Sequence, residues 1–308
     1  MDAKVRFEAL FPDEESCIDY IRGSRWPNGF RCPVCSYSEA YGIGIRKMPL
    51  YECRRCGRQT SLTAGTIMHK SRTPLRKWLL CMYIVACSDS GISAVTLSEL
   101  INVTYKTAWS MLYKIRRSIS AMDEARKLTG HVEAKHEIFM KKCIPSADQL
   151  ELEHSVVAAK ETRDFVNGSG EGVYYKIKLL PRSKAARLPL KEKEAIAFRE
   201  SHCAPDRCFL RPNPRMQWCS EVRYAHHMSG NPFIKSSERQ RLASLLDNSL
   251  SIFAYKAFRW MNDTFHGIGI KYAQQYIDEY CFRRNAANHP SAFREWLRFA
   301  LNGSSPSA

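Results

Sequence analysis

Two pairs of cysteines set the strongest constraint on what this chain can fold into. Cys32-Pro-Val-Cys35 and Cys53-Arg-Arg-Cys56 form a CxxC-x17-CxxC pattern, a spacing that belongs to structural zinc sites. Each knuckle turns tightly enough to place two thiolates on one ion. Four thiolates close a tetrahedron and leave no open position for catalysis. Gly57 suits the turn that ends the second knuckle. The alternative is four thiols buried by chance. The N-terminus, MDAKVRFEALFPDEE, is acidic and lacks a signal-peptide apolar core, so export is not expected. In a chain that is not exported, twelve cysteines read as metal ligands or buried thiols and not as a disulfide framework.

Charge is the second constraint. Across 308 residues, 47 Lys and Arg stand against 31 Asp and Glu, a net +16 and a pI near 9.4. Such an excess points to an anionic partner, above all nucleic acid. The 44% hydrophobic and 25% charged content excludes a disordered or fibrous chain. No run of about 18 apolar residues exists, which excludes a membrane-spanning helix. The excess is local: residues 43–77 hold nine basic residues and one acid, Glu52, and residues 174–215 hold eleven and four. Arg54, Arg55, Arg58 and Lys70 lie around the second knuckle and are expected to touch DNA phosphates. A solvated basic face is the alternative. His202, Cys203, Cys208, Cys219, His226 and His227 form a second His/Cys group, but their spacing matches no standard metal pattern, and scattered residues are the expectation.

Between the two basic stretches, punctuation marks helices. Thr73-Pro74 predicts a helix start with Thr73 as cap and Pro74 in the first position. Leu75, Trp78, Leu79, Met82 and Val85 then recur at helical spacing. Gly91 breaks the run, Ser93 caps a short helix over Ala94–Ile101, Asn102-Val103-Thr104 is a turn, and Thr104 caps a third helix. The third helix carries Trp109, Leu112, Ile115 and Ile119 on one apolar face. Two helices and a three-residue turn fit a helix-turn-helix, whose second helix presents its N-terminal residues to base edges. That assigns Tyr105, Lys106 and Thr107 to bases, Lys114, Arg116 and Arg117 to phosphates, and Trp109 to the core. A plain helical hairpin is the alternative. Further on, His154–Ala159 and Gly172–Pro181 read as strands, and Arg239–Trp260 and Ile270–Arg284 as helices. The Gly303–Ala308 tail reads as disordered.

Three segments carry a family resemblance: FPDEESCIDYIRGSRWPNGFRCPVC, YECRRCGRQTSLTAGTIMHKSRTPLRKW and GISAVTLSELINVTYKTAWSMLYKIRR. Together they resemble the N-terminal half of bacterial zinc-ribbon insertion-sequence transposases, which carry a DDE-type nuclease domain after the DNA-binding region. Near the C-terminus, TFHGIGIKYAQQYIDEYCFRRN, Thr264–Asn285, resembles the family's closing helix. The resemblance implies an α+β multidomain chain: a zinc ribbon over 1–66, a helical helix-turn-helix DNA-binding domain over 67–122, an RNase-H-like α/β domain over 123–290 and a C-terminal tail over 291–308. It also implies structural zinc, double-stranded DNA with terminal inverted repeats as partner, a dimer or higher oligomer, and a cytoplasmic, nucleoid-associated protein. Its chemistry would be strand transfer with two Mg²⁺ ions.

That chemistry needs carboxylates, because Mg²⁺ demands hard oxygen ligands. The family's first Asp lies in a strand reading like V-E-V-D-E. The matching stretch here is Val132-Glu133-Ala134-Lys135-His136-Glu137, with Lys135 at the Asp position. The region comparable to the second Asp, Cys208–Ser220, holds no acid, and neither does the window of the third, Ser249–Phe258. Glu133, Glu137, Asp206, Glu221 and Asp247 remain as displaced candidates. Asp278 and Glu279 read as structural, pairing Arg283 or Arg284 on one helix. No catalytic residue is assigned. The expectation is a transposase-family DNA-binding protein that has lost cleavage. The alternatives are an active DDE-type transposase with displaced carboxylates, which alone would need Mg²⁺, and a zinc-stabilised protein-interaction module.

Overall fold

The structure is a computed structural model that describes residues 3–43, 48–88, 90–140, 153–163, 172–180, 192–211, 249–287 and 291–302. The chain is a mixed helix and sheet protein with two compact units, 1–119 together with 289–308, and 120–288.

The first unit begins with helices α1 (Ala3–Leu10) and α2 (Glu14–Arg25). Asp13 opens α2 through a capping box: its carboxylate accepts from Ser16 N at 2.8 Å, and the Ser16 hydroxyl accepts from Asp13 N at 3.4 Å. A small antiparallel sheet follows, of β1 (Ala40–Ile43), β2 (Leu50–Cys53) and β3 (Gln59–Ser61), in the order β1-β2-β3. The register Ala40↔Cys53 brings the second cysteine knuckle beside β1.

Helix α3 (Leu75–Cys87) buries Leu75, Trp78, Leu79, Leu80, Cys81, Met82, Tyr83, Ile84 and Val85. A helix apolar on nearly every side belongs inside a core. Thr73 does not cap it, contrary to the expectation from its sequence. The N-cap is Pro74, and the first two amides donate instead to Glu14 of α2, Leu75 N to Oε1 at 2.7 Å and Arg76 N to Oε2 at 3.1 Å. A carboxylate there satisfies two orphan donors and meets the positive end of the helix dipole.

Helices α4 (Ala94–Leu100) and α5 (Tyr105–Ala125) follow the predicted punctuation. Ser93 Oγ accepts from Thr96 N at 3.1 Å, and Thr104 Oγ1 from Thr107 N at 3.2 Å. Asn102 takes φ +49 in the turn, a left-handed conformation that Asn tolerates. Residues expected as part of a C-terminal tail form helix α9 (Ala292–Asn302) instead; this helix buries Trp296, Leu297, Ala300 and Leu301. Its Trp296 Nε1 donates to Ser118 Oγ at 2.9 Å, which ties the end of the chain to α5 within this unit. Gly303–Ala308 lies outside the described residues.

The second unit holds strands β4 (Leu128–Met140), β5 (Glu153–Arg163) and β6 (Gly172–Leu179), helix α6 (Glu192–His202), strand β7 (Cys203–Arg211), and helices α7 (Ser249–Phe265) and α8 (Ile270–Ala287). The described strands form a mixed sheet in the order β6-β5-β4-β7. β4–β5 and β5–β6 are antiparallel, while β4 and β7 are parallel. A parallel partner needs a crossover, and α6 lies in that connection. Period-2 alternation divides the sheet between two cores. One face packs Val156, Ala158 and Ile177 against Phe253, Ala254, Phe258, Ile277 and Tyr280 of α7 and α8. The other packs Val132, Val157 and Ala159 against Phe198 of α6. The strands expected at His154–Ala159 and Gly172–Pro181 are β5 and β6. The expected helix Ile270–Arg284 is α8. Of Arg239–Trp260, residues 239–248 lie outside the described residues, and the rest belongs to α7.

Candidate metal centre and nucleic-acid interface

The four cysteines converge. The sulfurs of Cys32, Cys35, Cys53 and Cys56 all lie within 4.8 Å of one another, and among the described residues no other group of three or more His, Cys, Asp or Glu is so placed. Two equivalent turns build the site: Ser36 N donates to Cys32 O at 3.0 Å, and Gly57 N to Cys53 O at 2.9 Å. Each turn ends in the left-handed region, Ser36 at φ +59 and Gly57 at φ +65. The reversed backbone aims amide N–H groups at sulfur. The Cys35 amide, followed by that of Val34, brings the Cys32 thiol down to about 6. At Cys53 burial raises the thiol, but the amides of Cys56 and Arg55 outweigh it and bring it down. Cys56 receives the Arg58 amide, yet its neighbouring sulfurs push it up to about 12. Four sulfurs this close repel as thiolates unless a cation stands among them, so the donor set fits one tetrahedral zinc ion. The Arg25 guanidinium secures the following loop, donating to the carbonyls of Ser61 at 3.0 Å, Leu62 at 2.5 Å and Ala64 at 2.5 Å.

The basic residues named from the sequence divide. Arg55, Arg58 and Lys70 are exposed. Arg54 is exposed too, pairs with Glu39 at 3.1 Å and covers the Tyr41 ring at 4.7 Å. On α5, Tyr105 and Lys106 are exposed and Thr107 is half-buried. Lys114 stands 5.9 Å from the Trp78 ring, and Arg117 5.7 Å from the Tyr113 ring. Two expectations need correction. Arg116 is only 3% exposed and its Nη2 donates to Ile92 O at 3.4 Å, so it packs inward and does not suit a phosphate contact. Trp109 was expected in the core but is 39% exposed. The cause is rotation along the helix: Ala108, Met111, Leu112, Ile115 and Ile119 form the buried stripe, and Trp109 lies beside it.

In the second unit the stretch read against the family's first acid forms part of β4. Lys135 and Glu137 point to the α7 side of the sheet and are 1% and 0% exposed, with Lys135 Nζ 3.7 Å from Glu137 Oε1. Ser251 on α7 joins them: its hydroxyl accepts from Lys135 Nζ and donates to Glu137 Oε1, each at 2.5 Å. A buried ammonium bound to the neighbouring carboxylate is not a donor set for Mg²⁺, so these residues do not fit that ion. Glu133 is exposed. The side chains of Asp206 and Cys208, and all of Cys219, Glu221, His226, His227 and Asp247, lie outside the described residues. Nothing local in the sequence marks Ser251 as a partner of Lys135, which lies 116 positions away along the chain.

A second buried network was also missed. Lys176 and Lys178 are two of the eleven basic residues in 174–215, yet they are 0% and 4% exposed. Lys178 Nζ meets Asp123 at 2.8 Å, Glu124 at 2.7 Å and Asp278 at 3.1 Å. Lys176 Nζ donates to the carbonyls of Asp123 and Arg126, both at 2.6 Å. Part of the charge in 174–215 is therefore internal and neutralised. Glu279 pairs with Arg283 at 2.7 Å as expected, whereas Asp278 turns to Lys178. Burial, against the pull of Lys178, leaves the Asp278 carboxyl raised to about 6.

Residues 12–59 match the family model of the transposase zinc-ribbon domain, a span that contains α2 and both knuckles. This supports a zinc-ribbon transposase kinship for that part of the chain. No curated protein and no solved structure matches the chain. No described helix is long and apolar enough to cross a membrane.

Proposed function

We propose that this chain is a transposase-related DNA-binding protein that no longer cleaves DNA. A zinc ribbon over 1–66 and a helix-turn-helix over 67–122 hold duplex DNA, with terminal inverted repeats as the natural ligand. The segment 123–290 is an RNase-H-like domain serving as scaffold. The protein works beside the nucleoid in the cytoplasm, as a dimer or higher oligomer. The transposase zinc-ribbon match and the net +16 support the DNA-binding part. The mixed sheet, with β7 added parallel to β4 through a crossover helix, supports the RNase-H-like part. The observation that carries the loss of cleavage is Lys135, an ammonium buried against Glu137 and Ser251 where the resemblance expects a metal-binding Asp.

The test uses the full zinc-loaded chain and a duplex bearing the terminal repeat found beside its gene, with Mg²⁺ and then Mn²⁺. The expected result is binding whose log K falls linearly with log[salt], without nicking or strand transfer. Product with either metal would mean displaced carboxylates, and Glu133, Asp206 and Asp247 would be mutated next. Absence of DNA binding would leave the zinc-stabilised protein-interaction module.

A further inference from the structure

We propose that the outer edge of β6 is a latent strand-pairing surface for a second copy of this chain, held shut by two side-chain amides of α8. The order β6-β5-β4-β7 puts β6 at one end of the described sheet. One edge of β6 pairs with β5, from Val156↔Leu179 to Arg163↔Gly172. On the other edge α8 takes the place of a neighbouring strand. Asn285 Oδ1 accepts from Tyr175 N at 2.8 Å, and Asn285 Nδ2 donates to Tyr175 O at 2.9 Å. Gln274 Oε1 accepts from Leu179 N at 2.7 Å, and its Nε2 donates to Ile177 O at 2.9 Å. A side-chain amide carries an acceptor and two donor hydrogens, so each reproduces the pairing that a strand's backbone would offer. Gln274 Nε2 also donates to Asp278 Oδ1 at 2.7 Å, which fixes the nitrogen end of that amide. Gln274 and Asn285 stand about three helical turns apart on α8 and so share one side of the helix.

The sequence of the strand explains why it needs a guard. β6 reads GVYYKIKL, with Val173, Tyr175, Ile177 and Leu179 in alternation and no proline. An edge strand of that kind is a template for pairing with another chain. Lysines standing on an edge commonly prevent such pairing. Lys176 and Lys178 are instead buried among Asp123, Glu124 and Asp278, and their charges are neutralised there. The groups that α8 covers, on Tyr175, Ile177 and Leu179, belong to alternate residues and point the same way, as the pairing groups of an antiparallel ladder do. A second β6 fits them, because two copies set antiparallel about a two-fold axis offer each other the same groups. The two amides of α8 therefore decide whether the edge is closed within one chain or open to another. The inference stands on the second unit alone and does not depend on DNA binding.

The experiment compares the full zinc-loaded chain with the double variant Gln274→Leu/Asn285→Leu. It reads hydrogen exchange of peptides spanning β6 and sedimentation velocity over a concentration series. At low concentration the variant's β6 amides are expected to exchange roughly tenfold faster, the scale of one lost hydrogen bond. As concentration rises, the variant should form a species of about twice the wild-type mass. Adding Leu179→Pro, which removes an outward N–H from the edge, should abolish that species. Met261→Ala truncates a buried residue of α7 without touching the edge and should keep the wild-type size. Unchanged exchange in β6, an unchanged sedimentation profile, or equal association in Met261→Ala would overturn the proposal. Should the double variant fail to fold, Asn285→Leu alone, which keeps the Gln274 contacts, is read by the same criteria.

Discussion

Ser251 on α7 joins Lys135 to Glu137 through a single hydroxyl, accepting a hydrogen bond from Lys135 Nζ and donating one to Glu137 Oε1, each at 2.5 Å. All three side chains are essentially free of solvent exposure. Two opposite charges withdrawn from water persist only when each has the other and further hydrogen bonds. The arrangement explains how β4 tolerates a lysine in its interior, at the position that the resemblance reads as a metal-binding Asp.

Removing either charge takes an opposite charge 3.7 Å away from the one that stays buried. Lys135→Met and Glu137→Gln are each expected to destabilise the protein by about 3–5 kcal/mol, measured by denaturant unfolding. The double variant should cost clearly less than the two combined, because the attraction between the pair is then lost only once. Strict additivity would show that the pair does not interact. Lys135→Asp by itself should leave DNA cleavage absent with Mg²⁺ or Mn²⁺, since one carboxylate does not supply a two-metal ligand set.

Zinc and the ribbon should be lost together. Cys32→Ser or Cys53→Ser removes one ligand of a closed tetrahedron, and zinc binding in such a site is folding free energy. Metal content by mass spectrometry should drop, and the ribbon's amides should lose hydrogen-exchange protection. Retained zinc with an unchanged melt would refute the site.

Three neighbours on α5 should behave differently. On the proposed helix-turn-helix reading, Lys106→Ala should relax sequence choice, because Lys106 is an exposed residue of the first turn of the recognition helix. Arg117→Ala should weaken binding to all sequences and reduce the salt slope by about 1. Arg116→Ala should leave the salt slope unchanged and lower the melting temperature, since its guanidinium is buried against Ile92. A salt slope that responds to Arg116 but not to Arg117 would reverse the assigned helix face.

Stability should carry an acid-side dependence from His202. Burial, helped by Lys176 and Lys178, brings this imidazole down from 6.5 to about 4, against the smaller opposing pull of Glu124 and Asp123. The unfolded chain therefore binds a proton that the folded chain refuses between those values, and stability falls as pH drops from 6.5 towards 4. Asp278 acts oppositely, because its raised carboxyl lets the folded state hold more protons between 3.8 and about 6. The difference between wild type and His202→Gln isolates the histidine: the variant should lose less stability over that interval. Parallel pH profiles for the two proteins would show that His202 does not titrate as described.

Much of the N-terminal architecture is legible because its signals are local. The CxxC pairs, Gly57, the caps Ser93 and Thr104, and the 3.6-residue rhythm of α5 each act within a few residues of chain. Trp109 shows where such reading stops. Periodicity places it at the margin of the apolar stripe, and only the packing of Leu112 and Ile115 decides that the indole faces outward. Lys176 and Lys178 mislead for a similar reason. They alternate around Ile177, as bases on the wet face of a strand would, but the covering acids, Asp123, Glu124 and Asp278, are about 50 and 100 positions away along the chain.

The sequence by itself determined the grouping of four cysteines suited to zinc, the helices α4 and α5 with their caps, and a basic chain suited to an anionic partner. Each follows from residue type and near spacing. Tertiary structure alone decided that Glu14 caps α3 from 61 residues upstream, that the last helix returns to Ser118, and that Ser251 completes the buried pair on β4. The physical reason is common to all three. A helix end, a buried indole N–H and a buried charge each require a polar partner. Chain spacing does not reveal which distant residue will be brought within reach.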